Sequence, residues 1–182
     1  MPKAAQPNTM PDPTTELLEK CREAALRLLE QRLHARAELE RKLREREYPQ
    51  AIRLAIVADL ERVGLVDDRQ FAEAFARQKL ASSRPLGRQR ILLDLRRRGI
   101  SPELAVEALD EVTEEEDGDS EEDGELSRAR QAAACKWASL VRSGREFQKA
   151  RASLYRFLAS RGFAGDVIRR VLDDLPSPNS RA

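Results

Sequence analysis

The hydrophobic positions of this chain recur in three copies. Leu39, Leu43, Tyr48 and Ile52 fall at the same intervals as Ile91, Leu95, Ile100 and Leu104, and again as Leu154, Leu158, Phe163 and Val167. The residues that follow agree as well: Ile56, Val57 and Leu60 correspond to Ala108, Leu109 and Val112, and to Val171, Leu172 and Leu175. Steps of three and four residues place such positions on one face of a helix. No β-branched run alternates with period two, so the fold class is all-α. The first two copies lie 52 residues apart and the second and third 63. The difference of 11 equals the length of the acidic stretch 114–124, which therefore reads as an insert, disordered or frayed helix, between repeat units. The organisation expected is an elongated array of three tandem three-helix repeats at 15–65, 66–113 and 125–176, with tails at 1–14 and 177–182. A single unit of this size has a marginal core, and stacking units buries more apolar surface.

The polar residues between these stretches supply stop and start signals. Asp67 is a candidate N-cap with Gln70 three residues later, a capping-box spacing, and Phe71, Phe75 and Leu80 then face the core. A break at "SSRPLG" precedes a second helix from about Leu86. Gly99 ends that helix in an expected left-handed conformation, and Ser101 caps a third with Pro102 at its first position. Gly162 takes the Gly99 role in the last copy, whereas Glu47-Tyr48-Pro49 makes the break in the first copy without glycine.

Charge changes the picture. The whole chain carries a net +1, but residues 110–125 hold eleven acids and no base. The remainder has 33 bases against 21 acids, the 32 of the chain less these eleven. A body this basic points to a polyanionic partner. Candidate contacts are Arg84, before the second helix of the middle unit, Arg88 at its start, and Arg90 and Arg97 away from its apolar stripe. Arg145, Lys149 and Arg156 share a face in the last unit if one helix runs through them. Arg36, Arg88 and Arg151 recur at one repeat position, a helix start where the dipole disfavours a cation, so they join the set. Arg46, Arg98 and Arg161 recur in the last turn of the same helices, where the dipole alone accounts for them.

Catalytic chemistry finds no foothold. His34 has no acid or cysteine placed to make it a base, and no cysteine–histidine cluster has zinc spacing. No glycine-rich phosphate loop is present. Asp67-Asp68 is the sharpest acidic pair, and helix capping explains it better than metal binding. Cys21 and Cys135 fall on largely apolar helical faces and read as small core residues of a reduced, cytoplasmic chain. No metal, cofactor or membrane partner is expected, and the chain is taken as a monomer. Aromatic platforms and base-reading helices are scarce, so nucleic-acid binding would follow the backbone and depend on salt.

Three phrases resemble the RecX family of bacterial recombination regulators: "RAELERKL" (36–43), "GLVDDRQFAEAFARQKL" (64–80) and "GRQRILLDLRRRGIS" (87–101). The resemblance spans roughly 20–175. Ala35 stands where the family usually has Ser, Leu65 where it has an aromatic and Val66 where Leu is common. The resemblance implies a non-enzymatic protein that lodges in the groove of a RecA-type recombinase filament on single-stranded DNA. It further implies suppression of strand exchange, ATP hydrolysis and co-protease activity. Double-stranded DNA is a further non-specific partner. The alternative reading is a stand-alone helical DNA-binding protein.

Overall fold

The computed structural model describes residues 12–117 and 121–176. Nine helices appear among them and no strand. The chain divides into two compact units, Met1–Asp68 and Arg69–Ala182.

The first unit contains α1 (Pro13–Leu29), α2 (Arg36–Arg44) and α3 (Gln50–Arg62). Asp12 accepts from the Thr14 N–H with Pro13 opening the helix, so α1 begins inside the segment expected to be tail. Around Leu39, Leu43 and Leu60, all at 1 % exposure or less, gather Cys21, Ala25, Ile56 and Val57. One polar pair is drawn into this unit: Glu38 is buried and takes both terminal nitrogens of Arg32, at 2.5 and 3.2 Å. Burial of a carboxylate is tolerable only with such pairing.

The second unit contains α4 (Asp68–Leu80), of which Asp68 counts with the first unit, then α5 (Arg88–Arg96), α6 (Pro102–Asp117), α7 (Glu121–Arg142), α8 (Phe147–Ser160) and α9 (Gly165–Asp173). Two of the expected repeats therefore share one compact body. The acidic stretch is helical on both sides, with 114–117 in α6 and 121–124 in α7, while 118–120 lie outside the described residues. Of the two forms expected for the insert, disorder or frayed helix, its described flanks take the helical one. Glutamate is a good helix former, and Glu115 is held by Arg77 of α4 at 2.7 Å. That pair ends a ladder in which Arg69 meets Glu111 at 2.5 Å and Glu107 at 3.4 Å. The tail at 177–182 also lies outside the described residues.

The repeat is written in the backbone as well as in the side chains. Glu47, Gly99 and Gly162 stand at one repeat position, with φ of 64°, 90° and 81°. After each, the next N–H reaches back to a leucine carbonyl: Tyr48 to Leu43 (3.4 Å), Ile100 to Leu95 (3.2 Å) and Phe163 to Leu158 (3.3 Å). This is the Schellman closure of a helix, made three times. The anchors Leu39, Ile91 and Leu154 are each fully buried, as are Leu43, Leu95 and Leu158. Ser101 Oγ accepts from the Leu104 N–H at 3.2 Å, the expected cap of α6. Asp67 stands just before α4 and Gln70 in its first turn.

Cys135 departs from expectation. Cys21 is fully buried, but Cys135 is exposed. The buried stripe of α7 runs through Leu126, Ala129, Ala132, Ala133 and Leu140, and Cys135 lies two residues past Ala133, roughly 200° around the helix.

Candidate functional site

Helices α2 and α5 need their first N–H groups satisfied, and neither Ala35 nor Gly87 carries a capping side chain. The acceptor comes from the first helix of the following repeat. The Arg36 N–H donates to Asp68 Oδ1 at 2.7 Å, within the first unit. The Arg88 N–H donates to Glu125 Oε1 at 3.2 Å, within the second. Asp68 thus has a capping role, supplied from a distance of 32 residues in sequence.

The side chains of the recurring arginines also turn inward. Arg36 pairs with Glu61 of α3 at 3.3 Å, Arg88 with Asp110 of α6 at 2.5 Å, and Arg151 with Asp173 of α9 at 2.8 Å. In every repeat the first half of the second helix is tied to an acid of the third. The local partner the sequence offers is Glu40, four residues after Arg36; the structure pairs all three cations with acids 22 to 25 residues downstream. Exposed pairs of this kind contribute about 0–1 kcal/mol each. The other recurring set has a second anchor beyond the dipole. Arg98 lies 4.8 Å from the Phe75 ring centroid and Arg161 4.8 Å from that of Phe157, while Arg46 reaches the Ala24 carbonyl.

Arg90 and Arg97 of α5 flank Asp94, at 3.2 and 3.7 Å, and Arg97 remains 62 % exposed. The face expected from Arg145, Lys149 and Arg156 is not one helix. Gly144 breaks the chain with φ 66°, and α8 begins only at Phe147. Arg145 reaches forward to donate to Ser153 Oγ at 3.0 Å. Lys149 pairs with Glu146 at 2.9 Å yet is 75 % exposed. Arg156 and Arg84 point outward, both exposed.

Around Arg84 the second unit forms a cleft of about 350 Å³. Its walls bring Ser83 and Arg84 of the α4–α5 link against Cys135 and Lys136 of α7 and Phe157 and Arg161 of α8. A neighbouring hollow of about 410 Å³ shares Arg84 and Arg161 and adds Lys79, Arg90 and Asp94. A backbone contact holds this region together. The Gly87 N–H donates to the Arg161 carbonyl at 2.9 Å, and the Gln89 N–H to the Gly162 carbonyl at 3.1 Å. The last carbonyls of α8 thereby satisfy the first N–H groups of α5. A Cβ on Gly87 would stand 2.3 Å from the Gly162 carbonyl, and one on Gly162 2.3 Å from the Arg90 nitrogen. Both positions are glycine because two backbones meet there.

His34 is buried, at 3 % exposure, with Nδ1 2.9 Å from the Arg32 carbonyl. Burial lowers its pKa below the ordinary 6.5, opposed in part by the hydrogen bond to the Arg32 carbonyl. Among the described residues no group of three or more His, Cys, Asp and Glu is placed to hold a metal. No helix among them is long and apolar enough to cross a membrane.

Lys136, Phe157 and Gly87 are not among the candidates that the sequence supplies, and Gly162 is read there only as a helix end. They lie on separate elements, Lys136 in α7, Phe157 in α8 and Gly87 at the start of α5, and no periodicity within one helix joins them.

Comparison with known proteins assigns all three repeats. The models of the first, second and third three-helix domains of RecX match residues 21–60, 67–109 and 123–172. The regulatory protein RecX of Chlorobium phaeobacteroides is 32 % identical over 86 % of this chain and 94 % of its own. That of Halorhodospira halophila is 35 % identical over 83 % of this chain and 85 % of its own. The crystal structure of RecX from Lactobacillus salivarius shares the fold, with a TM-score of 0.70, 24 % identity, and coverage of 88 % of this chain and 97 % of that one. With three domain models in order along most of its length, the chain belongs to the RecX family of regulatory proteins.

Proposed function

We propose that this protein binds the filament that a RecA-type recombinase forms on single-stranded DNA and restrains its activities. The observation that carries this reading is membership of the RecX family across all three repeats. The chemistry is compatible. Outside the acidic stretch 110–125 the chain has 33 bases against 21 acids, a balance that suits a polyanionic assembly. Restraint needs no catalytic residue. It needs tighter binding to one state of the filament than to the alternatives.

The contacts we assign to the filament are the outward-facing cations Arg84, Arg97, Lys149 and Arg156, with Arg90 and Arg145 in support. Arg36, Arg88 and Arg151 act first within their own repeats, fixing the second helix against the third, and present charge to the filament only secondarily. The protein acts in the compartment of the recombinase, the cytoplasm.

DNA-dependent ATP hydrolysis and strand exchange by the recombinase, measured with and without this protein, test the reading. Both fall with the native chain. Inhibition weakens when Arg84, Arg97 and Arg156 are changed together to Ala, with helical circular dichroism unchanged. Unaltered hydrolysis at saturating native protein refutes the proposal.

A further inference from the structure

The cleft at the α4–α5 link has properties that the filament reading does not require. Its lining contains three cations, Arg84, Lys136 and Arg161, and no Asp or Glu. Two of the cations are held in place before any ligand arrives. Arg161 and Lys136 both lie over the Phe157 ring, at 4.8 and 5.6 Å from its centroid. Arg161 also donates to the Pro85 carbonyl at 3.2 Å, which fixes its guanidinium in the wall. The ring is committed to these cations and is not a stacking platform for a base. The walls themselves are set by the Gly87–Gly162 backbone contact, so the cleft is built rather than incidental. Ser83 and Ser139 add hydroxyl donors. Preorganised cations and hydroxyls without a competing carboxylate suit a phosphate group.

The neighbouring hollow argues for a polymer. It shares Arg84 and Arg161 with the first and carries Lys79 and Arg90 beyond them, with Asp94 as its one carboxylate, paired to Arg90 at 3.2 Å. A strand leaving the first cleft across that shared wall therefore meets further cations, where an isolated ion would use only one side.

We propose that the cleft between the α4–α5 link and helices α7 and α8 holds a backbone phosphate of single-stranded nucleic acid. Arg84, Lys136 and Arg161 serve as its counter-charges. The assignment deepens the filament reading and rests on it for the identity of the strand, but its geometry stands within the second unit alone.

Cys135 lines the cleft and is exposed, while Cys21 is fully buried, so alkylation of the native full-length chain by a maleimide reports the cleft. The expected result is that an oligothymidine slows alkylation of Cys135. Lys136→Glu and Arg84→Glu each weaken binding of a fluorescent oligothymidine about tenfold or more, as loss of a charge-assisted hydrogen bond should. Each also makes binding less sensitive to salt, by roughly 0.7 in the log–log slope for every phosphate left without its counter-charge. Arg27→Gln, an exposed cation of the first unit that lies outside the cleft, leaves Cys135 protection intact. Three results overturn the proposal: oligothymidine binds while Cys135 reacts at its free rate, inorganic phosphate protects where oligothymidine does not, or only the recombinase protein protects. Recombinase ATP hydrolysis measured on the same samples separates the two readings. Inhibition with Cys135 unprotected by the strand removes the cleft and keeps the filament. Protection by the strand without inhibition removes the filament and keeps the cleft.

Discussion

Helices α2 and α5 are sister elements of successive repeats, and they solve the same problems with different residues. At the end of each the chain must turn left-handed. α5 does so at Gly99 (φ 90°), α2 at Glu47 (φ 64°). At the start of each the comparison reverses in meaning. Ala35 and Gly87 share a repeat position, both with extended backbone and φ of −66° and −79°. Nothing in the backbone of Gly87 demands glycine; the opposing backbone at Gly162 does. The same residue type thus serves conformation at one end of α5 and close approach at the other.

The comparison breaks most visibly at the close approach. Gly87→Ala should cost about 2–4 kcal/mol by forcing two backbones apart. Gly162→Ala should add left-handed strain of roughly 1–2 kcal/mol to a similar clash. The single Trp137 lies in α7, so its fluorescence during urea unfolding follows the second unit and should shift to lower midpoint in both variants. Gly99→Ala meets the left-handed cost, expected at roughly 1–2 kcal/mol, and should lower the midpoint of the same transition. Asp68→Ala removes the acceptor of the Arg36 N–H and should cost about 1 kcal/mol, a typical capping value. Circular dichroism is the readout there, because the first unit has no tryptophan. Glu47→Gly sharpens the comparison from the other side. It should stabilise the first unit by about 0.5–1 kcal/mol, the left-handed penalty relieved less the entropy of glycine.

The smallest expected effect is a slope. His34 is neutral in the folded chain because burial depresses its pKa below 6.5. A proton taken up only by the unfolded chain destabilises the fold. Its contribution is therefore complete above pH 6.5 and declines as pH falls from 6.5 toward the lower folded value. The hydrogen bond to the Arg32 carbonyl and the Glu38 carboxylate oppose this shift, while the charges of Arg32 and Lys42 reinforce it. Denaturation midpoints of the native chain should drop between pH 7.5 and 5.5, and His34→Gln should flatten that drop.

Much of the architecture is legible in the sequence because it is local. The anchor leucines, the Ser101 cap and the turns at Gly99 and Gly162 each depend on residues within a few positions, and the three copies check one another. What escapes is what crosses the repeats. Asp68 and Glu125 cap helices that begin 32 and 37 residues earlier, and no spacing rule links them to Ala35 or Gly87. The Arg36, Arg88 and Arg151 pairs span the loop between helices, so an argument from the dipole of one helix does not reach their partners. Arg145 fits a helical face by spacing alone, and the stop at Gly144 depends on a left-handed turn that spacing does not register. The cleft around Lys136 and Arg161 draws on the link before α5 and on two helices of the next repeat. Only the fold brings those segments together.

On the function we propose, this chain recognises an assembled recombinase filament rather than its components. Co-sedimentation with a RecA-type filament formed on single-stranded DNA tests it most directly, with the DNA alone and the free recombinase as parallel samples. The account predicts that the chain pellets with the filament at concentrations where neither component retains it. Equal retention by bare DNA and by filament would contradict it.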